Sequence, residues 1–186
     1  MRFKISPRMF LLLSALLLLP AGCATSKKTR EAVRPIILET PTDPQMAAYL
    51  GVSPQRHYFR LTEIKTKVLI AEVFQSRCPH CRELVPDFLN LYKVVQQRGL
   101  GSRIKFIGVG FGERLIDVEE FGMRYDIPWP LFPDPGGTRI KVEEIPVTFI
   151  LRMTPEAAYV IYEYHGILPA PDTLLRQLDE QVDLYR

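Results

Sequence analysis

The residues of this chain with the clearest chemical potential are Cys78 and Cys81, set C-x-x-C in the run Phe74-Gln75-Ser76-Arg77-Cys78-Pro79-His80-Cys81-Arg82. Such a pair can cycle between dithiol and disulfide, ligate a metal, or form an inert staple. Its context points to the first. The pair lies between a near-continuous apolar run, Val68 to Phe74, and a segment of helical period, where a buried strand turns into a helix. At a helix start the unpaired backbone N–H groups and the dipole stabilise an anion. The thiolate is therefore favoured there, and the thiolate is the nucleophile. Pro79 suits the first helical turn, where its missing N–H costs nothing. His80, when protonated, could stabilise the thiolate further, as could Arg77 or Arg82. The chemistry expected is thiol–disulfide exchange, with Cys78 as the exposed attacking sulfur and Cys81 as the resolving one.

The rival chemistries fit less well. A c-type haem site needs C-x-x-C-H, and Arg82 stands where that histidine belongs. A structural zinc site takes four N or S ligands, and only scattered His57, His80 and His165 are on offer. A staple closing so small a loop constrains the unfolded chain little. Two soft thiolates could hold copper(I), so a copper(I)-binding chaperone is kept as the alternative, with a non-catalytic adaptor of the same fold beside it.

The elements that must position the pair can be read from the pattern. Val68 to Phe74 is expected to be a strand covered on both faces. Leu84, Phe88, Leu91, Tyr92 and Val95 recur at helical steps after Cys78, with Gly99 as the stop. Ile104 to Val109 reads as a second strand. Leu115, Val118, Phe121 and Tyr125 mark a helical face that Pro128-Trp129-Pro130 ends. Asp134-Pro135-Gly136-Gly137 is a turn, and residues 138–144 are expected to form a short helix. Strands from Pro146 and over Tyr159 to Tyr164 follow, then an amphipathic helix through Leu174, Leu178, Val182 and Tyr185. This order predicts an α/β fold: a central mixed β-sheet flanked by helices on both faces.

The first residues have another purpose. Arg2, Lys4 and Arg8 precede the apolar run Met9 to Leu19, which is too short to span a bilayer and has the form of a secretory signal. The segment Leu19-Pro20-Ala21-Gly22-Cys23-Ala24 resembles a bacterial lipobox, although Pro20 stands where leucine is usual. That resemblance implies a lipoprotein signal peptide over 1–22, lipid attachment at Cys23 and, from Ala24, outer-membrane sorting. Residues 23–48, polar and then proline-bearing, are expected to be a flexible tether. The whole chain holds 24 basic and 21 acidic residues; without the three basic ones of the signal it has 21 of each. A near-neutral mature chain gives no support to nucleic-acid binding. An exported compartment permits disulfides.

From about Tyr58 to the C-terminus the chain resembles the thioredoxin superfamily, and within it the exported, membrane-tethered TlpA/ResA-like thiol-disulfide oxidoreductases. The resemblance is carried by the C-P-H-C motif after a hydrophobic strand, by Pro86 five residues beyond Cys81, by Ile145-Pro146-Val147-Thr148-Phe149, and by Tyr125 to Asp134. It implies a thioredoxin-like domain over 49–186. It also implies that Ile145-Pro146 is a cis-proline loop facing the cysteines and lining, with Pro79, a groove for an extended substrate. No cofactor beyond the redox-active Cys78–Cys81 disulfide is implied. The implied partners are protein thiol or disulfide substrates and an envelope redox partner, with the membrane reached through the N-terminal lipid.

Glu72 interrupts the apolar strand six residues before Cys78. Thioredoxins carry a buried acid at that spacing, which implies a proton-transfer role near Cys81. The physics agrees, since burial should raise the pKa of such a carboxyl towards the range of a general base. The sequence departs from the family at Arg77, where tryptophan is usual, and Glu83 is not at the family's acidic position. Pro-His between the cysteines resembles the oxidising DsbA-like motif while the scaffold resembles reductases, so both directions of exchange stay open.

Overall fold

The apolar run that carries the motif is the middle of the sheet. In the computed structural model, which describes residues 32–186, β3 (Val68–Phe74) is buried at every position. It is flanked by β4 (Ile104–Phe111), parallel to it, and β6 (Val147–Met153), antiparallel. The edges are β5 (Leu131–Asp134), parallel to β4, and β7 (Ala158–His165), antiparallel to β6. The order is β5-β4-β3-β6-β7. This is the mixed central sheet expected. The signal peptide, Cys23 and the chain up to residue 31 lie outside the described residues.

The parallel steps dictate where the helices go. The chain passes β3, α2 (Pro79–Gln97), β4, α3 (Leu115–Arg124) and β5, moving the same way across the sheet each time. Right-handed crossovers in one direction put both helices on one face. Packing agrees: Phe74, Cys81, Val85, Val118 and Phe121 form one cluster. α4 (Pro171–Val182) joins that face, its Leu174, Leu175 and Leu178 meeting Phe88 and Leu91 of α2 over Ile70, Phe106 and Ile150.

The opposite face carries a smaller layer. There β1 (Ile37–Glu39), the short helix α1 (Pro44–Leu50) and β2 (Tyr58–Arg60) place Leu38, Leu50 and Phe59 against Leu69, Ala71, Ile107 and Leu151. So both faces carry helix, unequally.

Two expectations are corrected. Residues 32–48 are not tether. Ala32 bridges to Tyr159, β1 pairs with β2, and Leu38 and Ala47 are fully buried. The prolines there mark turns and a helix start: Pro44 opens α1 behind Asp43, whose side chain accepts from the Gln45 N–H at 2.8 Å. A three-residue strand is too short to show its period. The second correction is at residues 138–144, which form bends and irregular chain and no helix. The buried Asp134 carboxylate accepts the N–H groups of Thr138 and Arg139 at 3.1 and 3.0 Å. A local side-chain bond of this kind competes with a helix start.

Candidate active site

Cys78 is the N-cap of α2 and Pro79 its first residue. The Cys81 N–H donates to Cys78 Sγ at 3.4 Å, so the first sulfur sits where orphan amide donors point. Cys78 is half-buried and Cys81 wholly buried; both are free thiols. The division into an accessible and a sheltered sulfur follows from the helix, because Cys81 falls on the face shared with Leu84, Val85 and Phe88.

The loop ahead of Cys78 is held from several sides. Cys78 N–H donates to Gln75 O at 3.1 Å, and Gln75 Nε2 to Phe111 O at 3.2 Å. Glu113, at the exit of β4, accepts from both the N–H and the hydroxyl of Ser76 at 2.9 to 3.0 Å. Arg82 donates to the carbonyls of Ser76 and Arg77 at 3.0 and 2.8 Å. The guanidinium of Arg82 is thus a clamp on the loop's backbone, not the thiolate partner expected. Sequence reasoning missed Glu113, since an acid just past a strand end has no signature separating it from a surface charge. Only the parallel pairing of β3 and β4, which aligns their C-terminal ends, brings it to Ser76.

Glu72 is where the spacing expected it, 3% exposed inside the sheet. Its Oε1 has no hydrogen-bond partner. Burial pushes its carboxyl up to about 8. Burial also pushes the Cys81 thiol well above the usual range, and the neighbouring charges of Cys78 and Glu72 add to that. Cys81 and Glu72 are thus near enough to interact electrostatically.

Ile145–Pro146 is cis, as the resemblance implied. Val147 pairs with Val73, so Pro146 stands one step further along, beside Phe74 and at the cysteine end of the sheet. Pro146 is buried and Ile145 half-buried. The Pro146 carbonyl accepts from Gly166 N–H at 3.2 Å, which sets Ile167, 79% exposed, at the rim. Pro79 is exposed on the other side of Cys78. The structure thus gathers Cys78, Cys81, Glu72, Pro79, Ile145 and Pro146 at one sheet end. His80 is not gathered with them. Its side chain is 79% exposed and its Nδ1 lies 3.2 Å from Glu83 Oε2, so it is turned to solvent and to Glu83.

Among the described residues no group of three or more His, Cys, Asp or Glu side chains is placed to hold a metal. A site of two thiols standing between a buried carboxyl and a cis-proline loop is equipped for disulfide exchange and proton transfer.

Known proteins agree with this architecture. No protein-family model matches the chain. The chain is 23% identical over 108 residues to the thiol-disulfide oxidoreductase ResA of Geobacillus kaustophilus, a match covering 56% of this chain and 60% of that protein. The chain thus spans under two thirds of that relative's length. Among solved structures it superposes on a thiol:disulfide interchange protein from Bacteroides sp. with a TM-score of 0.58 at 15% identity, covering 83% of this chain and 90% of the other. It superposes on StoA from Bacillus subtilis with a TM-score of 0.53 at 20% identity, covering 81% and 98%. The chain therefore has a thioredoxin-like fold and is similar in sequence to thiol-disulfide oxidoreductases of the ResA type.

Proposed function

We propose that the protein exchanges thiols and disulfides with protein substrates in the bacterial cell envelope, through Cys78 and Cys81. The observation that carries this is the accessible sulfur of Cys78 at the start of α2, set over buried Cys81 and buried Glu72. In the reducing direction the Cys78 thiolate attacks a substrate disulfide. One S–S bond forms, the substrate's breaks, and the first substrate sulfur leaves as a thiolate that takes up a proton. Cys81 then gives its proton to Glu72, and the resulting thiolate attacks Cys78 Sγ. The second substrate sulfur leaves, and two electrons have passed from the pair to the substrate. Run backwards, the same steps oxidise a dithiol.

Substrate would lie extended along Ile145 and Pro146, with Pro79 and Ile167 at the rim. The redox partner that resets the pair would use the same opening, because Cys81 is fully covered.

Alkylation tests the division of labour. When the reduced protein is treated with a limiting alkylating agent at mildly acidic pH, Cys78 is expected to be labelled well before Cys81, by peptide mass spectrometry. First labelling of Cys81 would reverse the assignment.

The envelope location rests on the N-terminal segment, where the lipobox-like run ends in Cys23. The mature protein is expected to begin at Cys23 and to carry acyl groups there. Mass spectrometry of its N-terminal peptide from bacterial membranes reads this directly; an unmodified Cys23, or a start beyond it, rejects the lipid anchor.

A further inference from the structure

Glu72 is not the only polar group enclosed in the sheet. Thr148 of β6 is fully buried, and its hydroxyl, like Glu72 Oε1, has no hydrogen-bond partner. The two residues are directly opposed in the antiparallel register of β3 and β6. Directly opposed side chains share a face, with Cβ atoms about 4.5–5.5 Å apart. Two neighbouring orphans in one apolar layer are unusual, because buried polar groups are nearly always paired. Each can relieve the other: the hydroxyl hydrogen turns freely about the Cβ–Oγ1 bond, and the group both donates and accepts.

We propose that Thr148 is a positioning residue for the redox centre: its hydroxyl engages the Glu72 carboxyl, by rotation or through one shared water, and steadies it toward Cys81. This rests on the proton role given to Glu72 above.

The surroundings leave few other partners. On the β4 side Glu72 is opposed by Gly108, which has no side chain and whose Cα is closed over by Leu131 and Phe74. From α2 the titratable group that senses Glu72 is Cys81. Beyond Thr148 on β7 the next residue in the row is Tyr164, whose hydroxyl faces Gln177 of α4 at 3.3 Å. A hydroxyl that donates to a carboxylate favours the ionised form, and so makes the proton acceptor available at lower pH.

The test compares Thr148→Val, which keeps the shape and removes the hydroxyl, with Thr148→Ser, which keeps the hydroxyl. Infrared titration of the protonated Glu72 carbonyl band, identified by its loss in Glu72→Gln, is the primary readout. The midpoint is expected to rise by about one pH unit or more in Thr148→Val and to return towards wild type in Thr148→Ser. The pH profile of the step that deprotonates Cys81 should move with it, and Thr148→Val should have no further effect in a Glu72→Gln background. An unchanged midpoint in Thr148→Val overturns the proposal, as does an equal effect with and without Glu72. If Glu72→Gln leaves the exchange profile untouched, the proton role of Glu72 fails by itself, while the infrared midpoint still decides whether Thr148 engages the carboxyl.

Discussion

Cys81→Ser is expected to stop the exchange half-way. Cys78 keeps its place at the start of α2, so attack on a substrate disulfide should proceed, and the mixed disulfide should then persist for want of a resolving sulfur. Turnover with a protein disulfide should fall by about two orders of magnitude or more, while a covalent adduct accumulates in stoichiometric amount. Cys78→Ser should lose turnover equally and form no adduct, because the buried sulfur of Cys81 cannot be reached. Intact-protein mass spectrometry after mixing with a model disulfide separates the two variants. An adduct of similar yield on Cys78→Ser would mean that the buried sulfur is the entry point, contrary to the geometry.

The features that make this prediction possible were legible in the chain to different degrees. The strand before the motif and the helix after it were readable because each is long and strongly periodic, and because Cys78 and Pro79 are suited to a helix start. The spacing of Glu72 from the cysteines was readable for the same reason: one charged residue in seven buried positions stands out. What local pattern could not show was anything set by non-local pairing. The N-terminal layer of Ile37–Glu39 and Pro44–Leu50 is built from pieces too short to have a period, and its prolines looked like linker. The strand Leu131–Asp134 contains Pro133 and was read only as part of a family segment, since it is an edge strand held by a short ladder to β4. The clamp of Glu113 on Ser76 joins residues 37 apart in the chain.

His80 is the expected site residue that the structure turns away from the others. Its place between the cysteines suggested a role at the thiolate, yet on a helix neighbouring positions point in different directions. Cys81 turns inward, whereas His80 turns out to meet Glu83 three residues on. The distinction has a consequence for the proton. With His80 at the surface, the proton role proposed above rests on the buried carboxyl of Glu72.

Glu72→Gln is therefore expected to have two separable effects. The first is on stability. In the folded protein the carboxyl holds its proton up to about 8, against 4.5 for the ordinary group, because burial disfavours the charge. Between those values the folded state binds more protons than the unfolded one, so stability is fully present below about pH 4.5 and declines as pH rises through about 8. At 1.36 kcal/mol per unit, the decline is of the order of a few kcal/mol. Glutamine has no proton to release, so the variant should lack this decline. It should match wild type near pH 5 and exceed it near pH 9, by urea titration at each pH. The second effect is kinetic. Attack by Cys78 should be little changed, whereas closure of the Cys78–Cys81 disulfide should slow and lose the part of its pH dependence that follows Glu72, read by stopped-flow exchange with a model disulfide. Stability curves that run parallel across this range would show that the carboxyl is not held neutral in the fold. A shifted stability curve with an unchanged kinetic profile would instead make Glu72 a buried acid without a proton role, with the Cys81 proton leaving to water.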